Sequence, residues 1–228
     1  MAAPTDRAAA VRAALRTLVA RNGFHGASMN AVAREAGVAT GTAYTHYASK
    51  DELVLAAYHE TKAALGLAAT ASLDPNLGAE RRFHALWLAC YRHLRANPDH
   101  AQFLLQVEHS PYRDPAHQSA LANTNDPLLT QAARPDLAER LLPLPLDVLY
   151  ELSFSAAVRL AASGIELTPA QLDEIADACW RAISRPEISS GKLRPATGTG
   201  GAPRPTGPIR TDHEAGELLG QLRDDERF

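Results

Sequence analysis

The sequence predicts an all-α fold over most of its 228 residues. Segments rich in alanine and leucine recur from residue 6 to residue 184, and their apolar positions follow the helical period of about 3.6 residues. Runs in which β-branched and polar residues alternate, as half-buried strands require, are missing. Residues that cap helices stand at the starts and ends of the periodic segments. We therefore expect an N-terminal three-helix unit followed by a larger helical body.

The first helix is expected over 6–21, because its apolar positions recur on a single face. That face consists of Val11, Leu15, Leu18 and Val19. Gly23 follows as a residue that can adopt the left-handed conformation and end the helix. Phe24 comes next, and we expect its ring to be buried in the core.

A second helix is expected after Ser28, whose hydroxyl is a suitable N-cap, and it ends where Gly37 breaks the pattern. Its inward face is expected to consist of Met29, Val32, Ala33 and Ala36. A third, short helix is expected from Thr40 to about Tyr47.

A fourth helix is expected to begin at Ser49, because Ser49 and Glu52 have the spacing of a capping box, and to continue to about Ala69. Its apolar stripe consists of Leu53, Val54, Ala57 and Leu65. A fifth helix is expected over 78–96, where large apolar residues again recur at helical spacing.

A sixth helix is expected over 98–109, with Asn97 as its N-cap and a proline at its first position. The segment 110–143 is interrupted by prolines and predicts a loop with one or two short helices, which we count as the seventh element. The eighth helix is expected over 146–163 as one nearly apolar segment that ends at Gly164.

The ninth helix is expected over 168–184, because its opening residues T-P-x-Q form a capping box with proline at the first position. From 186 to 209 the composition shifts to Pro, Gly, Ser and Thr, which cannot bury enough apolar area to offset the cost of ordering the chain. We expect a disordered tail over 186–228, with at most a marginal helix at its end.

The formal net charge of −3 conceals an uneven distribution along the chain. Residues 1–50 carry six basic and two acidic side chains, whereas residues 51–185 carry 11 basic and 17 acidic ones. A basic head on an acidic body suggests a polyanion as the partner of the head. An ordinary solvated charged face would have the same composition, so charge alone leaves both interpretations open.

Several functional classes find no support in the sequence. No run approaches the roughly 18 apolar residues of a membrane-spanning helix. The N-terminus mixes acidic residues with arginine, whereas a signal peptide does not. Together these two features predict a cytoplasmic protein. Cys90 and Cys179 lie in apolar helical patterns and are expected to be buried free thiols. The histidines lack metal-ligand spacing, and no catalytic or nucleotide-binding pattern is present, so we expect neither an enzyme nor a metal or other cofactor.

Helix 2, the turn at 37–39 and the short helix 3 have the arrangement of a helix-turn-helix, which places its second helix in the major groove of DNA. Such a helix must keep one polar face, because hydroxyl and backbone N–H groups reach phosphates and base edges there. A helix, a glycine and another helix also occur as an ordinary turn, so the pattern by itself is a weak indication.

A denser motif surrounds this pattern in the stretch GFHGASMNAVAREAGVATGTAYTHYASKDELV. Residues 5–66 resemble the DNA-binding domain of TetR/AcrR-family transcriptional regulators, whose pattern T-x-x-x-I-A-x-x-A-G-V-S-x-G-T-x-Y-x-H-F-x-S-K-x-x-L is in register here. The resemblance implies a helix-turn-helix domain over 1–50 that continues into helix 4 to about residue 69. It also implies a helical ligand-binding and dimerisation domain over 51–185.

By this resemblance, a set of polar residues around helix 3 would contact double-stranded DNA. The set consists of Ser28, Thr40, Gly41, Thr42, Tyr44, Thr45, His46 and Lys50. Thr40, Gly41 and Thr42 would approach base edges, while Tyr44, Lys50 and the first turn of helix 2 would bind phosphates. The sequence departs from the family at Thr40, where lysine is commoner, and at Ala43, where a bulky aliphatic residue is usual. Tyr47 replaces the usual phenylalanine and is expected to pack in the core.

The C-terminal two thirds resembles the family mainly in architecture. In such regulators helices 8 and 9 pair with those of a second copy as a four-helix bundle, which implies a homodimer. An unidentified small-molecule effector, apolar or amphipathic, would bind among helices 5 to 8. The predicted pocket residues are His84, Trp87, Tyr91, Phe103, Leu104, Val107, His109, Phe154 and Arg159.

These expectations combine into a homodimeric regulator, a repressor in our first hypothesis, that binds a pseudo-palindromic operator and is released by its effector. Two alternatives remain open at this point. One is an all-helical enzyme or small-molecule carrier that does not bind DNA. The other keeps DNA binding but dispenses with the ligand, or makes the protein an activator.

Overall fold

The computed structural model describes residues 6–186, and over this range the chain forms twelve α-helices and no strand. The all-α prediction is thereby confirmed. The helices are Arg7–Asn22 (α1), Met29–Glu35 (α2), Thr40–His46 (α3), Lys50–Thr70 (α4), Ala79–Ala96 (α5), Pro98–Glu108 (α6), Arg113–Leu121 (α7), Pro127–Ala132 (α8), Pro135–Ala138 (α9), Leu146–Glu151 (α10), Phe154–Ser163 (α11) and Pro169–Ile183 (α12).

The predicted caps explain where three of the helices begin. The Ser28 and Ser49 hydroxyls accept hydrogen bonds from backbone N–H groups three residues later, and Thr168 forms a reciprocal capping box with Gln171. Asn97 precedes α6 as expected, but its side chain does not cap that helix. Its amide instead donates to the carbonyl of His93 in the last turn of α5.

The segment 110–143 contains more helix than the sequence predicted. Three helices, α7, α8 and α9, occupy it where one or two were expected. The prolines begin helices here instead of interrupting them, because Pro127 and Pro135 each take the first helical position, where no backbone N–H is needed. Asp126 caps α8 by accepting from the N–H groups of Leu128 and Leu129.

The single helix predicted over 146–163 is divided into α10 and α11 at 152–153. Ser153 leaves the helical conformation, and its carbonyl accepts a hydrogen bond from the indole N–H of Trp87 on α5 at 3.2 Å. The Ser153 hydroxyl donates to the carbonyl of Leu149. A tertiary contact, which the helical period does not contain, therefore accounts for the break.

The buried side chains form one cluster that extends from the N-terminal helices into the body. The helix α5 lies at its centre, with Phe83, Trp87 and Leu94 almost completely buried against α4, α11 and α12. Phe24 is only partly buried, but its ring packs against Phe103 and Tyr112. One continuous core thus packs against the buried side of the helix-turn-helix.

Both cysteines are free and buried, as the sequence predicted. Burial raises the pKa of the Cys90 thiol to about 12, which keeps it protonated and unreactive. Among the helices described, none combines the length and apolar character needed to cross a bilayer. Of the tail 186–228, for which we predict disorder, residues 187–228 lie outside the described residues.

Candidate nucleic-acid interface and effector cavity

The helices α2 and α3 are joined by a tight turn that glycine makes possible. Gly37 has a φ of 67°, which is a left-handed backbone conformation that residues with a Cβ rarely adopt. The N–H of Val38 then bonds the carbonyl of Ala33, which closes the end of α2. Ala43, in the middle of α3, is fully buried, so the inner face of α3 is held against the core. The opposite face of α3 is left to solvent.

That outer face carries most of the residues predicted to contact DNA. Gly41, Tyr44, Thr45 and His46 are exposed, and Thr40 and Thr42 are half-buried. Tyr44 is the large aromatic side chain on this face and is 50% exposed. The Thr45 hydroxyl donates to the carbonyl of Gly41 at 2.9 Å, so its oxygen keeps free acceptor capacity.

Tyr47 lies on the other side of α3 and is buried, which confirms its predicted place in the core. Its hydroxyl accepts a hydrogen bond from the Arg12 guanidinium at 2.6 Å. Arg12 and Arg16 on α1 both bind the Glu60 carboxylate on α4. Burial alone would raise the pKa of Glu60, but the hydrogen bonds and charges of the two arginines hold it below the ordinary value. This network fixes α3 and α4 relative to α1.

Lys50, the predicted phosphate-binding lysine, already has a partner inside the protein. Its ammonium donates to the carbonyl of Phe24 and lies 5.9 Å from the centroid of the Phe24 ring. Burial lowers its pKa, and the neighbouring Asp51 carboxylate partly opposes this effect. A phosphate at this place would therefore compete with, or add to, the bond to the Phe24 carbonyl.

An open cleft of about 920 Å³ adjoins the helix-turn-helix. Three of the predicted DNA contacts, Ser28, Tyr44 and Lys50, lie along one side of it. The other side is the corner between α6 and α7, from His109 to Tyr112. His109, which the sequence assigned to the effector pocket, belongs instead to this cleft.

A second cavity of about 130 Å³ lies in the helical body, and apolar side chains form most of its wall. It is bounded by α4, α5 and every helix from α7 to α12. The apolar lining includes Leu65, Phe83, Cys90, Leu94, Leu121, Leu128, Leu129, Leu137, Leu146, Leu149, Phe154, Ala157, Val158 and Ile183. Such a space suits a small apolar or amphipathic molecule.

The polar lining of this cavity, which we call the polar wall, consists of Tyr58, Lys62, His117, Asp126, Asp147, Tyr150 and Ser153. His117 is 8% exposed, and its Nε2 lies 2.8 Å from the Glu108 carboxylate. Its ring stacks on Tyr58, with centroids 6.4 Å apart. Burial, together with nearby carboxylates, raises the pKa of Tyr58 and Tyr150 above the ordinary value, so both keep their protons.

The structure brings together few of the residues predicted for the pocket. Only Phe154 lines the body cavity. Five others are instead buried core residues: Trp87, Tyr91, Phe103, Leu104 and Val107. The rings of Trp87 and Tyr91 stack on each other, with their centroids 6.0 Å apart. His84 binds Asp177 at 2.6 Å between α5 and α12, and the Arg159 side chain is exposed on the surface.

The sequence analysis did not predict the polar wall, although part of its signal was present. His117 and Asp126 lie in the segment 110–143, which was predicted as mostly loop, and a loop gives no expected direction for a side chain. Tyr58 and Lys62, by contrast, lie on α4 at i and i+4, close to its apolar stripe. A lysine one turn after a buried tyrosine on an apolar stripe was a signal that the sequence did contain.

Comparison with known protein families gives matches to both halves of the chain. Residues 11–57 match the family described as bacterial regulatory proteins of the tetR family. Residues 79–184 match the family described as a tetracyclin repressor-like C-terminal domain. The first match includes α2, the turn and α3, and the second includes α5 to α12, which form most of the wall of the body cavity.

Comparison with individual proteins gives similar results. The chain is 28% identical over 187 residues to an uncharacterized HTH-type transcriptional regulator of Haemophilus influenzae, a match that covers 80% of this chain and 98% of the relative. It is similar to the crystal structure of a TetR-family transcriptional regulator from the same organism, with a TM-score of 0.64, 28% identity and coverage of 79% and 98% of the two chains. A TetR-family structure from Marinobacter aquaeolei has a TM-score of 0.65 at 21% identity, covers 78% and 95%, and supports the fold alone.

Proposed function

Because the chain belongs to the TetR family of transcriptional regulators, a class without enzymatic activity, we propose that it is a homodimeric repressor released from its operator by a small apolar or amphipathic effector. The observation that carries the DNA-binding part is the polar, solvent-facing side of α3, held from behind by fully buried Ala43. Such a regulator would work in the cytoplasm, where it meets its operator.

Support for the DNA interface comes from the geometry around α3. Its exposed face presents hydroxyls, an aromatic OH and a glycine, which are the groups that reach phosphates and base edges in the major groove. Ser28, the N-cap of α2, lies at the edge of the same cleft, where we propose that the N–H groups in the first turn of α2 hold a phosphate. Lys50 would add a second phosphate contact beside it.

Support for the dimer comes from the last two helices. The helices α11 and α12 correspond to the predicted helices 8 and 9, except that α10 is separated from α11. They carry partly exposed apolar side chains at Leu160, Leu172 and Ile175, and Ile165 between them is 53% exposed. A second copy packed on these two helices would form a four-helix bundle. It would place two α3 helices about 34–36 Å apart, one turn of DNA.

Selection of bound duplexes from a random pool tests this function. We expect an inverted repeat whose half-sites are separated by about one turn of DNA, and an affinity that falls steeply as salt concentration rises. Recovery of no enriched sequence, or binding that does not depend on salt, would contradict DNA binding by α3. Enrichment of single half-sites would contradict the dimer alone.

Two substitutions on α3 are expected to affect DNA binding in different ways. Tyr44→Ala should weaken binding to all duplexes by a similar factor, because its OH is proposed to donate to a phosphate. Thr42→Ala should instead change the preference at one base position, because its hydroxyl is proposed to face a base edge. Affinities for the selected operator and for duplexes changed at single positions measure both effects. An equal loss on all duplexes for Thr42→Ala would contradict its role.

The helix α7 connects the body cavity to the helix-turn-helix, which supports release by an effector. His117, Ala120 and Leu121 on α7 line the cavity. At the other end of α7, the Tyr112 OH donates a hydrogen bond of 2.9 Å to the carboxylate of Asp51. Asp51 lies in the first turn of α4. The Tyr112 ring also packs on Phe24, at 4.8 Å between centroids, and the Phe24 carbonyl holds Lys50. A ligand that displaces α7 would therefore disturb a proposed phosphate contact.

Replacement of Tyr112 by phenylalanine is expected to weaken this coupling while leaving the fold intact. The ring contact with Phe24 is kept, but the hydrogen bond to Asp51, worth about 0.5–1.5 kcal/mol, is lost. For a compound that lowers operator affinity of the wild type, the ratio of affinities without and with the compound should fall about two- to tenfold. Tyr91→Phe, which removes the hydroxyl of a buried tyrosine on α5 that does not line the cavity, is the matched control. An unchanged ratio for Tyr112→Phe would exclude the hydrogen bond as part of the coupling.

A further inference from the structure

The polar wall of the body cavity contains Lys62, which is the sole lysine or arginine among the lining residues. Its ammonium lies over the Tyr150 ring, 5.2 Å from the centroid. Within the part of the chain that the structure describes, Lys62 forms no hydrogen bond and no ion pair with a carboxylate. A half-buried ammonium next to an apolar space therefore retains its capacity to bind an anion.

The two carboxylates of the polar wall are engaged elsewhere. Asp126 is 5% exposed, and one of its oxygens accepts from the N–H groups of Leu128 and Leu129 at the start of α8. The Asp147 side chain is 52% exposed and faces the Nδ1 of His117 at 3.8 Å. Because Asp126 serves as a helix cap and Asp147 is largely hydrated, neither is as available to a ligand as Lys62.

The size of the cavity limits the apolar part of a ligand. Its volume is about 130 Å³. A protein cavity of roughly 150 Å³ lined by aliphatic and aromatic side chains accommodates benzene. The apolar part of a ligand here would therefore contain about six carbon atoms.

The cavity has an apolar entrance. Leu121 at the end of α7 and Leu146 at the start of α10 both line it, yet each is exposed, by 40% and 38%. Large apolar side chains that are exposed at a cavity rim are typical of a ligand entrance. A small amphipathic molecule could pass between α7 and α10 without unfolding the body.

We propose that the effector is a small monoanion, a carboxylate attached to an apolar group of about six carbons, and that Lys62 binds its carboxylate while the leucine-rich wall encloses the rest. This inference rests on the proposed effector-responsive function and specifies the chemistry of its ligand. Tyr58 and Tyr150 line the same wall, and in the proposed complex their hydroxyls are the second set of donors to the carboxylate.

Calorimetric titration with three probes of equal length, hexanoate, 1-hexanol and hexylamine, tests the proposal. The wild type should bind hexanoate about ten times more tightly than hexanol, because a charge-assisted hydrogen bond is stronger than a neutral one. Lys62→Met keeps the aliphatic stem and should lower hexanoate affinity about tenfold while leaving hexanol affinity unchanged. Lys62→Arg, which keeps the charge, and Asp147→Asn should still prefer hexanoate. Thermal melting of each variant verifies that it folds.

Several outcomes would overturn the proposal. The first is that the wild type binds hexanoate and hexanol with equal affinity, and the second is that Lys62→Met binds hexanoate as well as the wild type does. The third is that the wild type binds hexylamine most tightly and that Asp147→Asn loses this binding. The fourth is that no probe binds up to its solubility limit. Operator binding by the same preparations separates this failure from failure of the proposed function. If the wild type still binds its selected operator, the regulator stands and only the ligand class is wrong.

Discussion

Replacement of Trp87 by alanine is expected to lower the free energy of unfolding by about 3–5 kcal/mol. Trp87 is completely buried, and its indole stacks on Tyr91 with an interplanar angle of 3°. The substitution leaves a large cavity at the centre of α5 and removes the hydrogen bond to the Ser153 carbonyl, which sets the break between α10 and α11. Urea unfolding followed by circular dichroism measures the effect.

The variant Trp87→Phe separates the two causes. It keeps much of the ring volume but leaves the Ser153 carbonyl without its indole donor, so we expect a smaller loss of about 1–3 kcal/mol. A loss of less than about 1 kcal/mol for Trp87→Ala would contradict the core assignment. It would indicate that the side chain borders an open space, as an effector pocket at this place would require.

Replacement of Gly41 by alanine is expected to have opposite effects on stability and on DNA binding. Gly41 lies in the first turn of α3 with an ordinary negative φ, and a Cβ added there meets nothing within 4 Å. Alanine should therefore stabilise the protein, by up to about 1 kcal/mol, because it favours the helix and restricts the unfolded chain. In the proposed complex, the same methyl group would meet the DNA that approaches this face.

The expected loss of operator affinity for Gly41→Ala is about 1–3 kcal/mol, the contribution of one good base contact, or roughly five- to 150-fold. Gly78→Ala is the matched control, since a Cβ at Gly78 also meets nothing within 4 Å but lies before α5, away from α3. Its operator affinity should equal that of the wild type. Thermal melting and operator titration on the same samples give both quantities. If Gly41→Ala bound the operator as well as the wild type, the approach of DNA to this face would be wrong.

The N-terminal third shows why part of this protein is readable from its sequence. The helices α1 to α4 are stabilised by local signals: Ser28 and Ser49 cap their own helices, and Gly37 turns the chain between α2 and α3. The hydrogen bonds that cap α2 and α4 and close the turn join residues that are at most five positions apart. A pattern of that length is fully contained in the printed sequence, and the polar face of α3 can be predicted from it.

The region 110–163 was predicted less well, because distant residues decide its conformation. Proline was expected to interrupt helices there, yet Pro127 and Pro135 begin them. The break at Ser153 depends on Trp87, which is 66 residues earlier in the chain. Neither the helical period nor the local composition contains that information.

The sequence by itself determined the all-α fold, the helix-turn-helix, the family and the set of residues on and around α3 that we propose contact DNA. Only the tertiary structure decided which apolar residues form the core and which surround a cavity: Trp87 and Phe103 belong to the first group, and Phe154 to the second. The physical reason is that helix periodicity gives the direction in which a side chain points, whereas the space it meets depends on helices brought together from distant parts of the chain.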